Sequence, residues 1–89
     1  MERMEAIIKG RVQGVGYRMY ACRHGRALGL TGFVQNQYDA TVLVVAEGER
    51  QVLEIFLQIL RKGPAWAHVT GVSINWRPAE GRWNGFEIR

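Results

Sequence analysis

The sequence predicts an α+β fold of the ferredoxin-like sandwich type, a βαββαβ order with a short terminal strand, in which two helices lie on one face of an antiparallel sheet of four to five strands. Three observations lead there. Apolar and polar residues alternate near the start of the chain, two stretches carry apolar residues at helical spacing, and β-branched or aromatic runs flank each of those stretches. The length suits one domain spanning residues 1–89, enough to bury roughly 60 to 70% of the unfolded surface around a single core.

Ala6, Ile8, Gly10 and Val12 alternate with Glu5, Lys9 and Arg11, which predicts a first strand with one buried face, Ile7 being the exception. From Arg18 to Leu28, Ala21, Gly25 and Leu28 recur at i, i+4 and i+7 with Cys22 beside them, a helix whose Arg23 and Arg26 face water. Gly25 costs about 1 kcal/mol against alanine inside a helix, so a close pass over the sheet is expected there, with Gly29 as C-cap. Thr31 to Asn36 and Thr41 to Glu47 read as a hairpin joined by Gln37-Tyr38-Asp39-Ala40. Its second strand, apolar on both faces at Val42-Leu43-Val44-Val45, is expected to be central and covered by helices. Val52, Leu53, Phe56, Ile59 and Leu60 mark a second helix from Glu49 to Arg61, stopped by Lys62-Gly63-Pro64. Val69 to Trp76 gives a fourth strand; Phe86 and Ile88 belong to a short last one. A right-handed first crossover puts both helices on one face.

Composition is that of an ordinary globule, 47% hydrophobic and 22% charged, without low-complexity tracts. The charged start Met1-Glu2-Arg3-Met4-Glu5 and the short apolar run after it predict neither a signal peptide nor a membrane span, so a cytoplasmic monomer is expected. Cys22 is the lone cysteine, which fits a reducing compartment and reads as a small buried residue. The net charge of +4 rests on ten Arg and two Lys spread along the chain, favouring anionic partners without choosing between a small anion and weak nucleic-acid contact. A single Asp, Asp39, and two distant histidines, His24 and His68, supply no evident metal cluster, so no metal or cofactor is expected. The three tryptophans are assigned to core or rim packing.

Chemistry concentrates in Gly10 to Arg18. Gly14 and Gly16 allow positive φ and a close backbone approach to a ligand. A helix starting near Arg18 would aim its unpaired N–H groups and positive dipole end at the same pocket, where the guanidinium adds a planar fork of donors. The expected anion cradle comprises the backbone of Gln13, Gly14, Val15, Gly16, Tyr17 and Arg18. A P-loop is excluded by Tyr17-Arg18 where Lys and Ser or Thr are required, and a dinucleotide fingerprint by Met19 where a third glycine is required. A lone Gly-x-Gly can serve turn geometry alone. Arg18 tips the balance, because a cation at the positive end of a helix needs a compensating anion. Asn36, at the end of the second strand, falls near that end of the sheet.

These residues resemble the acylphosphatase family. Its first motif is similar to Gly10 through Arg18 and its second to Gly32-Phe33-Val34-Gln35-Asn36 continuing to Val42. Similarity extends through Leu28-Gly29-Leu30, Gly63-Pro64-Ala65-Trp66-Ala67-His68-Val69 and Gly85-Phe86-Glu87-Ile88, so it spans nearly the whole chain. The resemblance implies hydrolysis of the carboxyl–phosphate bond of a small-molecule acyl phosphate, Arg18 and Asn36 being the catalytic residues: Arg18 holds the phosphate and Asn36 positions the attacking water. Inorganic phosphate or sulfate would bind as product or inhibitor. It further implies that the proton goes to the substrate phosphate, since an amide is no strong base. Ala40 departs from the family pattern, which has glycine there, so strain in the turn and a displaced Asn36 are expected. Two other readings of the fold stay open: a phosphate-binding domain without turnover, as in a portion of a hydrogenase-maturation protein, and an RNA-binding module. The latter wants aromatic rings on its central strands, and Met4 to Val12 and Thr41 to Glu47 have none, so specific nucleic-acid binding is not expected.

Overall fold

Alternation sets the first strand. Met4, Ala6 and Ile8 are buried on one side of β1 (Glu2–Arg11), the side that joins the core shared with the helices. The computed structural model describes residues 1–89. After β1 come α1 (Tyr17–Ala27), β2 (Thr31–Asn36), β3 (Val42–Gly48), α2 (Arg50–Lys62), β4 (His68–Pro78) and β5 (Phe86–Ile88). The strands form one sheet in the order β4-β1-β3-β2-β5. Four are antiparallel as expected. β5 pairs parallel with β2, Gly32 opposite Phe86 and Val34 opposite Ile88, so the sheet is mixed. The difference arises because residues 79–85 carry the chain from the end of β4 across to the far edge, where it enters β5 in the direction of β2. No helix of the chain is long and apolar enough to cross a membrane.

The core joins Ala6, Ile8 and Val44 to Leu53, Phe56 and Leu60 from α2 and to Ala21 and Cys22 from α1. Gly25 lies where the expectation put a close approach. A Cβ there would stand 2.8 Å from the ring of Phe86, so the glycine lets α1 lie against β5. The thiol of Cys22, buried in the same seam, donates to the Phe86 carbonyl at 3.5 Å. Leu28 is the C-cap of α1 and Gly29 follows it at φ +73°. The amides of Gly29 and Leu30 return to the carbonyls of Arg26 and Gly25, the usual way a glycine one residue past the cap closes a helix.

β3 is central, but helices cover only one of its faces. Cover over part of the other comes from the loop after β4. Buried Glu47 accepts hydrogen bonds from the amides of Glu80 and Gly81 at 2.8 and 2.9 Å. The ring of Trp83 lies 5.6 Å from that of Phe33. Val45 is thereby buried outside the helix-facing core. Trp76 packs against the core, whereas Trp66 is 81% exposed and does not pack as expected, because it sits in the short connection between α2 and β4.

The hairpin turn carries the strain that its sequence foretold. Ala40 has φ +71° and is the one non-glycine residue with positive φ, a conformation in which Cβ crowds the backbone by roughly 1–2 kcal/mol. The turn is braced around it: Asp39 Oδ1 accepts from Thr41 Oγ1 at 2.6 Å and from the Thr41 amide at 3.1 Å. Those two bonds, the hydroxyl first, hold the Asp39 carboxyl below its ordinary value. Ala40→Gly should stabilise the domain by about 1 kcal/mol, relief of strain exceeding the added freedom of the unfolded chain. Urea denaturation of both proteins checks this, and a lower midpoint for the glycine variant contradicts it.

Candidate active site

The loop between β1 and α1 turns on Gly14 at φ +74° and Gly16 at φ +80°, and Gly16 is the N-cap of α1. Since that cap has no side chain, it leaves the first-turn donors free. No backbone N–H from Gln13 to Met19 is engaged by another group of the chain, and the first intrahelical bond beyond them runs from Tyr20 to Gly16. The first turn holds no acidic residue. Arg18, second residue of the helix, therefore places a guanidinium among unpaired donors at the positive end of a dipole, an arrangement that favours an anion.

Arg18 is half-buried, and one of its nitrogens, Nη1, donates to the main-chain oxygen of Arg89 at 3.0 Å. This contact fixes the guanidinium against the end of β5. Beneath it Tyr17 is buried and donates its hydroxyl to the Leu60 carbonyl at 2.8 Å, tying the start of α1 to the end of α2. Burial, followed by the nearby Tyr20, pushes the Tyr17 hydroxyl well above its ordinary value, so it remains a neutral donor.

A cavity of about 310 Å³ lies at this end of the sheet, lined by Gly14, Gly16, Arg18 and Asn36 on its polar side. Val12, Tyr17, Met19 and Ile88 complete the lining. Asn36 ends β2, and its Oδ1 is buried without a hydrogen-bond partner. Leaving a buried carbonyl unpaired costs roughly 1–3 kcal/mol, so the side chain of Asn36 lacks a partner at the edge of the cavity it lines.

Two expected members of the cradle do not line the cavity. The Gln13 side chain spans to the hairpin, where Nε2 donates to the carbonyls of Gln37 and Thr41 at 2.8 and 2.9 Å. Val15 packs against the core. Both leave their backbone N–H groups unengaged, so their part in the cradle rests on the main chain alone. The Gln13 bridge was not foreseen, and it joins the loop below Arg18 to the residue following Asn36. Met19 and Ile88 were missed as well. Met19 gave a signal, as an apolar residue off the Ala21, Gly25, Leu28 stripe; Ile88 gave none, because its position depends on the parallel pairing of β5. No three His, Cys, Asp or Glu side chains converge to hold a metal ion.

The fold and this site define a class, a ferredoxin-like sandwich with a glycine-rich turn and an arginine between its first strand and first helix. Residues 4–88 match the acylphosphatase family model, and the chain belongs to the acylphosphatase family. It is 46% identical over 88 residues to an acylphosphatase of Thermus thermophilus, covering 99% of each chain. Among solved structures it resembles the acylphosphatase from Bacillus subtilis, with a TM-score of 0.96 and 30% identity, covering 100% of this chain and 99% of that one. An acylphosphatase from Coxiella burnetii gives a TM-score of 0.88 at 33% identity, over 99% and 93% of the two chains.

Removing the guanidinium should empty the cradle. Arg18→Ala is expected to weaken binding of inorganic phosphate at least tenfold, in line with about 1.5–3 kcal/mol for a charged hydrogen bond. Isothermal titration of phosphate into both proteins measures it, and equal affinities contradict the assignment.

Proposed function

We propose that the chain is a metal-independent acylphosphatase that hydrolyses the carboxyl–phosphate bond of an acyl phosphate, with Arg18 and the loop amides holding the phosphoryl group and Asn36 holding the water. The observation that carries this reading is the placement of Asn36, whose Oδ1 has no hydrogen-bond partner, in the lining of the cavity that Arg18 also lines. A carboxamide has a carbonyl acceptor and an amide donor. Turned toward the cavity, Oδ1 can accept a hydrogen bond from water while the water oxygen faces the phosphorus.

The water oxygen attacks phosphorus opposite the acyl oxygen. The P–O bond to that oxygen breaks, and its electron pair leaves on the carboxylate. One water proton passes to a phosphoryl oxygen while the other stays on the attacking oxygen, giving carboxylate and dihydrogen phosphate. Charge in a loose phosphoryl-transfer transition state lies on the equatorial oxygens, where preorganised N–H groups and a guanidinium are most effective. The departing carboxylate is a weak base and needs no general acid. No strong base or metal is required, and this is why so few side chains suffice.

Gln13 is a positioning residue in this scheme. Its carboxamide bridges from the phosphate loop to the carbonyls flanking the hairpin turn, which sets the distance between the cradle and Asn36. The same proposal has the enzyme acting as a cytoplasmic monomer; a lone buried thiol supports a reducing compartment.

The test is hydrolysis of benzoyl phosphate with a chelator present. The parent is expected to turn over undiminished by EDTA. Asn36→Ala should lose about a hundredfold or more in kcat while its inhibition constant for inorganic phosphate shifts by less than about threefold. Parental turnover in Asn36→Ala removes the water-holding role, and loss of activity on chelation removes metal independence. Gln13→Ala should lower kcat by roughly tenfold and again leave phosphate inhibition nearly unchanged. An equal loss of phosphate binding would show the bridge to be no more than support for the loop.

A further inference from the structure

The cavity has two chemically distinct halves, and only the polar one is used by the phosphoryl group. We propose that Met19 and Ile88 form an apolar shelf for the acyl substituent, so that the enzyme prefers acyl phosphates bearing an aryl or branched alkyl group over those with a single methyl. The inference rests on the proposed acylphosphatase reading and deepens it.

Three observations converge. Met19 is 66% exposed and Ile88 is 45% exposed, and both line the cavity that holds Arg18 and Asn36. Single exposed apolar side chains are commonplace on protein surfaces. Two that arrive from distant parts of the chain and flank one polar site make an amphipathic pocket, apolar walls with a few convergent polar groups. Met19 also lies off the helix stripe that packs on the sheet, so core packing does not account for it.

The shelf is held in register with the cradle. The Arg89 amide donates to the Val34 carbonyl at 2.8 Å, and the main-chain oxygen of Arg89 accepts from Arg18 Nη1 at 3.0 Å. Ile88 is thus pinned one residue away from the oxygen that anchors the phosphate-holding guanidinium. Met19 immediately follows Arg18 in the first turn of α1. A thioether on an unbranched side chain adapts to flat or branched apolar shapes. No carboxylate lines the cavity, so nothing there pairs with a cationic acyl group.

The experiment compares two pairs of ligands that carry equal charge, which cancels electrostatic steering. In the parent, kcat/KM for benzoyl phosphate should exceed that for acetyl phosphate, mainly through KM. Phenylphosphonate should bind about fivefold or more tighter than methylphosphonate by calorimetry, as expected for partial burial of a ring. The double variant Met19→Gln, Ile88→Thr keeps helix and strand propensities. It should reduce both ratios by about fivefold. Ratios unchanged within twofold overturn the shelf, even if hydrolysis is intact. Loss of the phosphonate preference in the double variant upholds the shelf even if the parent hydrolyses neither acyl phosphate, an outcome that would sink the catalytic reading instead. Single variants that each remove the preference only in part would assign it to both side chains, and a preference unaffected by Ile88→Thr and Met19→Gln alike would assign it elsewhere.

Discussion

Everything at the reacting end of this molecule depends on a positive charge placed where the backbone is already positive. Arg18 stands in the first turn of α1 beside amides that no other group of the chain engages, and that turn holds no acidic residue. Such an arrangement disfavours the empty site relative to the occupied one. The surrounding structure is built to hold it. Tyr17 ties the helix start to α2, Gln13 ties the loop to the hairpin, and the main-chain oxygen of Arg89 limits the freedom of the guanidinium. Each of these ties comes from a different element, so the geometry of the cradle is a property of the whole sandwich rather than of its loop.

The dominance of preorganised donors explains the spareness of the site. Phosphoryl transfer to water from a good leaving group asks for positioning and charge stabilisation more than for proton traffic. In the proposed scheme one guanidinium, one carboxamide and a turn rich in glycine meet that demand, and a fold of modest size can supply them. The hairpin that carries Asn36 is the less settled side. Its turn is braced by Asp39 and Thr41 against a strained Ala40, so Asn36 rests on a local compromise that Arg18 does not share.

Local patterns carried most of the fold. Alternation in β1, the apolar spacing of both helices and the stops at Gly29 and Gly63-Pro64 are written in neighbouring residues, and both helices lie within a residue of their expected ends; β4 runs from His68 to Pro78 rather than from Val69 to Trp76, and β1 begins at Glu2, ahead of the alternation that starts at Glu5. Gly25 even disclosed a tertiary contact, because its cost within a helix needs a reason and the ring of Phe86 is that reason. What stayed hidden depends on distant partners. The parallel docking of β5 on β2 leaves no trace in a run of three residues, and with it went Ile88 and the main-chain oxygen of Arg89. The cover over the outer face of β3 was attributed to helices, since an apolar run does not say what will bury it; Glu47 and Trp83 do so through a loop. Of the site, Arg18 and Asn36 could be read from glycine spacing and strand ends with the help of the family resemblance. The bridging carboxamide of Gln13 could not, because its acceptors lie in a turn more than twenty positions later.

The placement of Cys22 bears on durability. Its sulfur is shut between α1 and β5 with the Phe86 carbonyl as neighbour, and oxidation requires a thiolate that peroxide or another sulfur can reach. While the sandwich stays closed, two molecules have no accessible thiol through which to couple, and hydroperoxides do not reach the sulfur of Cys22. Redox chemistry at this residue is therefore a consequence of unfolding and comes too late to act as a signal to the folded enzyme.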